Sequence, residues 1–234
     1  MKDSVARLKE NDLSEVLREL AKKVGSVTGE EMSDEATKLN ICEMTVINGV
    51  RMNGNDSEET SGSGIEPRVV CENVFEMHSS DDFYEDFVSS DGIVVKDGVG
   101  NEDVVTSWDM SVYKGLKALI IGDGCFAYME GLKLEGMSAL EKVEIGVECF
   151  CWSEGKLEVM NCQKLRRLVI GSGSCVNWSE FVMKNCEVET VEIGDYCFVN
   201  CNRTVFEDLN RLQSLTIGVG SMNGSGSTVV MKSE

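Results

Sequence analysis

The apolar residues of this chain fall into a pattern that returns about every 24 residues. In LEKVEIGVECF, residues 140–150, Leu140, Val143 and Ile145 stand at the spacing L-x-x-L-x-I. The same spacing recurs at Leu116, Leu119, Ile121; Leu165, Leu168, Ile170; Val188, Val191, Ile193; and Leu212, Leu215, Ile217. Taking the last residue of each set as a reference, successive references lie 24, 25, 23 and 24 residues apart. Such sets mark the inward positions of a short strand. A second alternating pair follows 11 to 14 residues after each reference: Leu132 and Leu134, Leu157 and Val159, Phe181 and Met183, Thr204 and Phe206, Thr228 and Val230.

The pattern predicts a mainly β solenoid with turns of about 24 residues and two short strands per turn. One turn alone buries too little apolar surface to offset the entropy of ordering its residues, so the turns must stack and share their faces. Glycines 122, 146, 171, 194 and 218 each follow a reference and are expected to provide positive φ where the chain leaves the strand. An earlier, degenerate turn is expected from Ile93–Val95, with Trp108, Met110 and Tyr113 in its second-strand columns. At the other end, TVVM after SMNGSGS reads as an exposed edge strand.

Ahead of the repeats the period changes. Leu13, Val16, Leu17, Leu20 and Val24 form one helical stripe, with Asp12 as N-cap and Gly25 as stop, which predicts an amphipathic helix that caps the first turn, the alternative being that it pairs with another chain. Residues 48–66, rich in Asn, Gly, Ser and acids, read as a flexible linker. In the acidic stretch DDFYEDF, Phe83, Tyr84 and Phe87 leave two readings open, a segment ordered by its aromatics or a continuation of the linker. The expected division is a helical segment over 1–47, an acidic, partly disordered linker over 48–92 and a repeat solenoid over 93–234.

The L-x-x-L-x-I spacing, the period and the Cys-Phe that follows several glycines resemble leucine-rich repeats, particularly the BspA-like type, over residues 93–231. The departures are a second strand where many such repeats carry a helix, and an asparagine column occupied by Gly136, Asn161, Asn185 and Asp208. The resemblance implies a non-enzymatic module that binds protein partners, and, since BspA-like relatives include adhesins, it also admits a cell-surface role.

Charge narrows the partners. With 41 acidic and 22 basic side chains the net charge is −19, which repels nucleic acid and anionic membrane surfaces. Charges every few residues at the N-terminus, and no apolar run near the ~20 residues of a membrane span, favour a cytoplasmic protein without membrane insertion. The sequons at Asn55, Asn177, Asn202 and Asn223 would become glycan sites in the adhesin alternative.

Candidate chemistry is sparse. Cys125, Cys149, Cys175 and Cys197 fall four or five residues after their references, while Cys162 and Cys186 share a column with Met137 and Leu209. Recurrence at repeat spacing favours packing, and no second C-x-x-C pair or neighbouring histidine completes a metal site. The Gly-x-Gly pairs lack the third glycine of a phosphate cradle and also recur with the repeat. His78 is the sole histidine and lies in a charged stretch, so a histidine-assisted nucleophile has no support. No catalytic residue and no cofactor is expected. A carbohydrate-active β-helix enzyme is the competing class, and it requires carboxylates clustered on one sheet.

Residues alternating with the inward set point outward: Ala118 and Ile120, Lys142 and Glu144, Arg167 and Val169, Thr190 and Glu192, Ser214 and Thr216. Their mixed chemistry suits a partner-reading face. Tyr128, Trp152 and Trp178, seven or eight residues past their references, are candidate interface anchors; the alternative for each is a place over the core at the bend.

Overall fold

The computed structural model describes residues 4–7, 69–84 and 87–232, and in these residues the repeat becomes a solenoid of about six turns. The first strands of the five regular turns are β4 (Ala118–Ile121), β6 (Lys142–Ile145), β8 (Arg167–Ile170), β10 (Thr190–Ile193) and β12 (Ser214–Ile217). With β2 (Val74–Met77) and β3 (Gly92–Val95) they form one parallel seven-stranded sheet. Ile121, Ile145, Ile170, Ile193 and Ile217 stand directly opposite one another along it.

The second strands, β5 (Leu132–Glu135), β7 (Lys156–Met160), β9 (Glu180–Lys184), β11 (Arg203–Glu207) and β13 (Thr228–Lys232), form the facing sheet. Between the sheets lies one continuous core in which Leu116, Leu119, Leu140, Val143, Leu165 and Leu168 are fully buried. Two strands per turn and an in-register stack are what the apolar alternation requires, because a slip of one residue would turn every inward side chain to solvent.

Four expectations need correction. The sheet begins before residue 93: Val74–Met77 pairs with β3, inside the segment read as linker. Phe75 stacks on Phe87 at 4.3 Å and Phe83 meets Trp108 at 5.2 Å, so aromatic residues close this end of the core. The second strand of the degenerate turn is replaced by a 3-10 turn, Met110–Val112, capped by Asp109, although Met110 and Tyr113 do enter the core.

At the far end β13 is not an edge, because β1 (Ser4–Arg7) pairs antiparallel with it. The inward residues of β13 are Val229 and Met231, not Thr228 and Val230, since Thr204 pairs with Val229 and Phe206 with Met231. Four consecutive residues there, Thr228 to Met231, are apolar or β-branched enough to fit either phase. The helix expected over 13–24 and the linker over 48–66 lie outside the described residues.

The glycines after the references serve close approach and not positive φ. A Cβ on Gly146 would lie 2.6 Å from the carbonyl carbon and oxygen of Gly122, and one on Gly171 would lie 2.5 Å from those of Gly146. Positive φ appears two residues later, at Gly124, Glu148, Gly173, Tyr196 and Gly220. It appears again at Gly136, Asn161, Asn185 and Asp208, the residue types that best tolerate the left-handed region. The irregular asparagine column is therefore a consistent conformational column.

Candidate interaction face

The outward residues of the seven-stranded sheet lie in two rows. One runs Val74, Gly92, Ala118, Lys142, Arg167, Thr190, Ser214; the other runs Glu76, Val94, Ile120, Glu144, Val169, Glu192, Thr216. All the strand residues proposed from sequence, Ile120, Lys142, Glu144, Arg167, Val169, Thr190, Glu192 and Thr216, are thus brought onto one face. Val74, Glu76 and Val94 extend it; Val74 and Glu76 were missed because β2 was read as linker. The alternation of Phe75 and Met77 with Val74 and Glu76 was the available signal.

The centre of the face is a charge network. Lys142 Nζ lies 2.9 Å from Glu144 Oε1, and Arg167 bridges Glu144 at 3.8 Å and Glu192 at 2.6 Å. Beside it in register sit Val94, Ile120 and Val169, of which Val169 is only 9 % exposed beneath its charged neighbours. The outward face of the other sheet differs. There Lys133–Glu135, Lys156–Glu158, Arg203–Glu180 and Lys184–Glu207 form pair after pair of opposite charge, and the Lys184 ammonium holds the Glu207 carboxyl below its ordinary range. Exposed pairs of this kind add little stability and are salt-sensitive.

The three loop aromatics separate by one residue of offset. Tyr128 and Trp152, seven past their references, face outward and meet edge to face at 5.1 Å, with Trp152 67 % exposed. Trp178, eight past, is fully buried; its indole N–H donates to the Met129 carbonyl at 3.3 Å. It is a core residue and is removed from the interaction face. Tyr196, 59 % exposed, is an outward aromatic that the loop column did not include.

The remaining columns hold the coils together. Asp123 Oδ1 accepts the Val147 N–H at 2.7 Å and Asp195 Oδ1 accepts the Val219 N–H at 2.8 Å, each one turn on. At the next recurring position the thiols of Cys125, Cys149 and Cys197 donate to carbonyls of Lys96, Gly122 and Gly171, and the hydroxyls of Ser174 and Ser221 do the same to Gly146 and Gly194. Cysteine and serine interchange there because the position needs a small donor. Cys175 belongs instead to the column of Phe126, Phe150 and Phe198. Among the described residues no group of three or more His, Cys, Asp or Glu side chains is arranged to hold a metal ion, and no helix is long and apolar enough to cross a membrane.

Burial pushes the Cys197 thiol up to about 11 and raises Cys175 and Cys201 as well. Among the nine described cysteines, all free, only Cys71 and Cys151 reach the surface in part. Of these nine, a maleimide should therefore label Cys71 and Cys151 first in native protein, with the other seven modified only on unfolding. Burial raises these two thiols also, so their labelling rate should climb with pH through and beyond the ordinary thiol range. Peptide mapping by mass spectrometry reads this directly; Cys175 reacting as fast as Cys151 would contradict the packing.

No family model matches the chain, and comparisons with curated proteins and with solved structures return no match. The class that the geometry defines is a repeat solenoid.

Proposed function

We propose that this chain is a leucine-rich-repeat-like, non-catalytic module that binds a protein partner across the outward face of its seven-stranded sheet. The observation carrying the proposal is the contrast between the two faces. One is a run of self-satisfied surface ion pairs, whereas the other sets Val94, Ile120 and Val169 beside the Lys142–Glu144–Arg167–Glu192 network. An apolar centre edged by fixed charges gives a partner both contact area and register. A parallel sheet built from stacked coils presents these rows on one rigid surface.

The enzyme alternative asks for carboxylates free to exchange protons. Glu144 and Glu192 are instead engaged by Lys142 and Arg167, which supports recognition over catalysis. The net charge of −19 directs the choice of partner away from nucleic acid, and nine free thiols among the described residues suit a reducing, cytoplasmic setting.

The test is the double substitution Glu144→Arg plus Arg167→Glu. It reverses the central charges, and because these side chains are part-buried and the swap leaves Lys142 and Glu192 each facing a like charge, the stability cost should be about 1 to 3 kcal/mol. Partners recovered from the native lysate by wild type should be lost from the variant while it keeps a single cooperative thermal melt, lowered by no more than the few degrees that cost implies. Retention of every partner would move the site off this face.

A further inference from the structure

Tyr128, Trp152, Asn177 and Asn200 each stand seven residues past their references, so they occupy one row on four successive coils at the bend between the two sheets. At the ~4.8 Å spacing of neighbouring strands the row is about 15 Å long. Its first half is aromatic. The rings of Tyr128 and Trp152 meet at 5.1 Å over a fixed loop, in which the Trp152 N–H donates to the Ala127 carbonyl at 2.9 Å and the Ser153 hydroxyl donates to the Tyr128 carbonyl at 2.9 Å. Trp152 is held in the open and takes no part in the core.

The second half of the row is a ladder of amides. Asn177 Nδ2 donates to the Cys151 carbonyl at 2.8 Å, and Asn200 Nδ2 donates to Asn177 Oδ1 at 2.9 Å. Among the described residues nothing hydrogen-bonds the Asn200 Oδ1, the Tyr128 hydroxyl or the Trp152 indole N–H, so each keeps capacity for a ligand. The exposed Glu130 and Glu154 stand two residues further along the coils of Tyr128 and Trp152.

Rings, amides and carboxylates in one line match a sugar chain. One face of a pyranose ring carries only C–H bonds, which pack on the electron-rich face of an indole. Its hydroxyls donate to amide and carboxylate oxygens and accept from amide and indole N–H groups. A protein hot spot is instead ringed by residues that exclude water, whereas these rings are followed by amides and edged by carboxylates. Those carboxylates, with the net charge of −19, repel acidic glycans. We propose that this row binds a neutral polysaccharide, with Trp152 as the stacking plate and Asn177 and Asn200 reading the hydroxyls. The site stands apart from the outward sheet face and does not depend on the protein partner proposed there.

Native gel electrophoresis of the full chain tests this, in gels cast with glycogen, a soluble cell-wall β-glucan, mannan or polygalacturonate. At least one of the three neutral polymers should retard the wild type and polygalacturonate should not; glycogen alone points to a storage polymer, β-glucan or mannan alone to a cell wall. Trp152→Ala should weaken the retardation at least about tenfold, Asn200→Ala about threefold to tenfold, and Trp152→Phe should keep most of it. The retarding polymer should also slow maleimide labelling of Cys151, next to Trp152, and leave Cys71 unaffected. Retardation by none of the neutral polymers, or equally by polygalacturonate, overturns the proposal. So does full retardation of both Trp152→Ala and Asn200→Ala, or unslowed labelling of Cys151. If no glycan binds and Trp152→Ala loses a protein from the lysate, the pair is a protein anchor and the proposal falls. Should Trp152→Ala fail to fold, Asn200→Ala and the Cys151 labelling decide.

Discussion

Gly171→Ala should destabilise the protein by about 3 kcal/mol or more, the upper end of overpacking costs, although it adds a single methyl group. The new carbon would sit 2.5 Å from the carbonyl carbon and oxygen of Gly146 and 2.7 Å from the Val147 nitrogen, all backbone atoms of the preceding coil. No side-chain rotation relieves such a contact. The coils would have to part, and at this row they are joined by the Gly171 N–H donating to the Ile145 carbonyl at 2.8 Å and the Gly146 N–H donating to Ile121 at the same distance. Gly124→Ala is the control. That glycine has φ +62° with open space around it, so alanine there bears only the left-handed penalty of about 1 kcal/mol. Urea denaturation of the two variants separates stacking from conformation; equal losses would mean that Gly171 is not a point of contact between coils.

The same comparison explains what could be read from the chain. Period, strand number and inward residues were legible because every coil repeats the same burial, so Leu119, Val143, Leu168 and Val191 each report the one constraint. The glycine row was visible, but its reason was not, since positive φ and close approach both select glycine and only neighbouring coils distinguish them. The set Gly136, Asn161, Asn185, Asp208 did carry its own explanation, being the residues that tolerate φ > 0.

The outward columns followed from strand phase alone. Their ion pairs did not, because Arg167 and Glu192 are 25 residues apart in sequence and meet only through the register of β8 and β10. The phase of β13 failed where Thr228, Val229, Val230 and Met231 offer no alternation, and β2 failed because two coils separated by 18 residues, Val74 to Gly92, depart from the period. The pairing of β1 with β13 joins opposite ends of the chain and leaves no local trace.

Trp178→Ala should cost about 4 to 5 kcal/mol, whereas Trp152→Ala, one residue of offset away in the repeat, should cost less than about 1 kcal/mol. The difference is burial: Trp152 is 67 % exposed, and Trp178 is wholly enclosed with its ring 4.8 Å from Phe150. Trp178 has a specific task. Phe126 stacks on Phe150 at 5.6 Å, and the next coil places Cys175 where a third phenylalanine would continue the row. Trp178 fills the space that this small residue leaves, and its N–H satisfies the Met129 carbonyl. Alanine would therefore open a cavity next to a cysteine that cannot fill it. Reversing the arrangement should recover part of the loss. The residue at the Trp178 position two coils earlier is Met129, so Trp178→Met combined with Cys175→Phe restores both the row and the volume. Cys175→Phe alone overpacks against the intact tryptophan, and Trp178→Met alone leaves a void, so the double variant should be more stable than the sum of the two losses predicts by about 1 to 3 kcal/mol. Thermal or urea melts of the four proteins measure that coupling. Strict additivity would mean that the two residues do not share one volume.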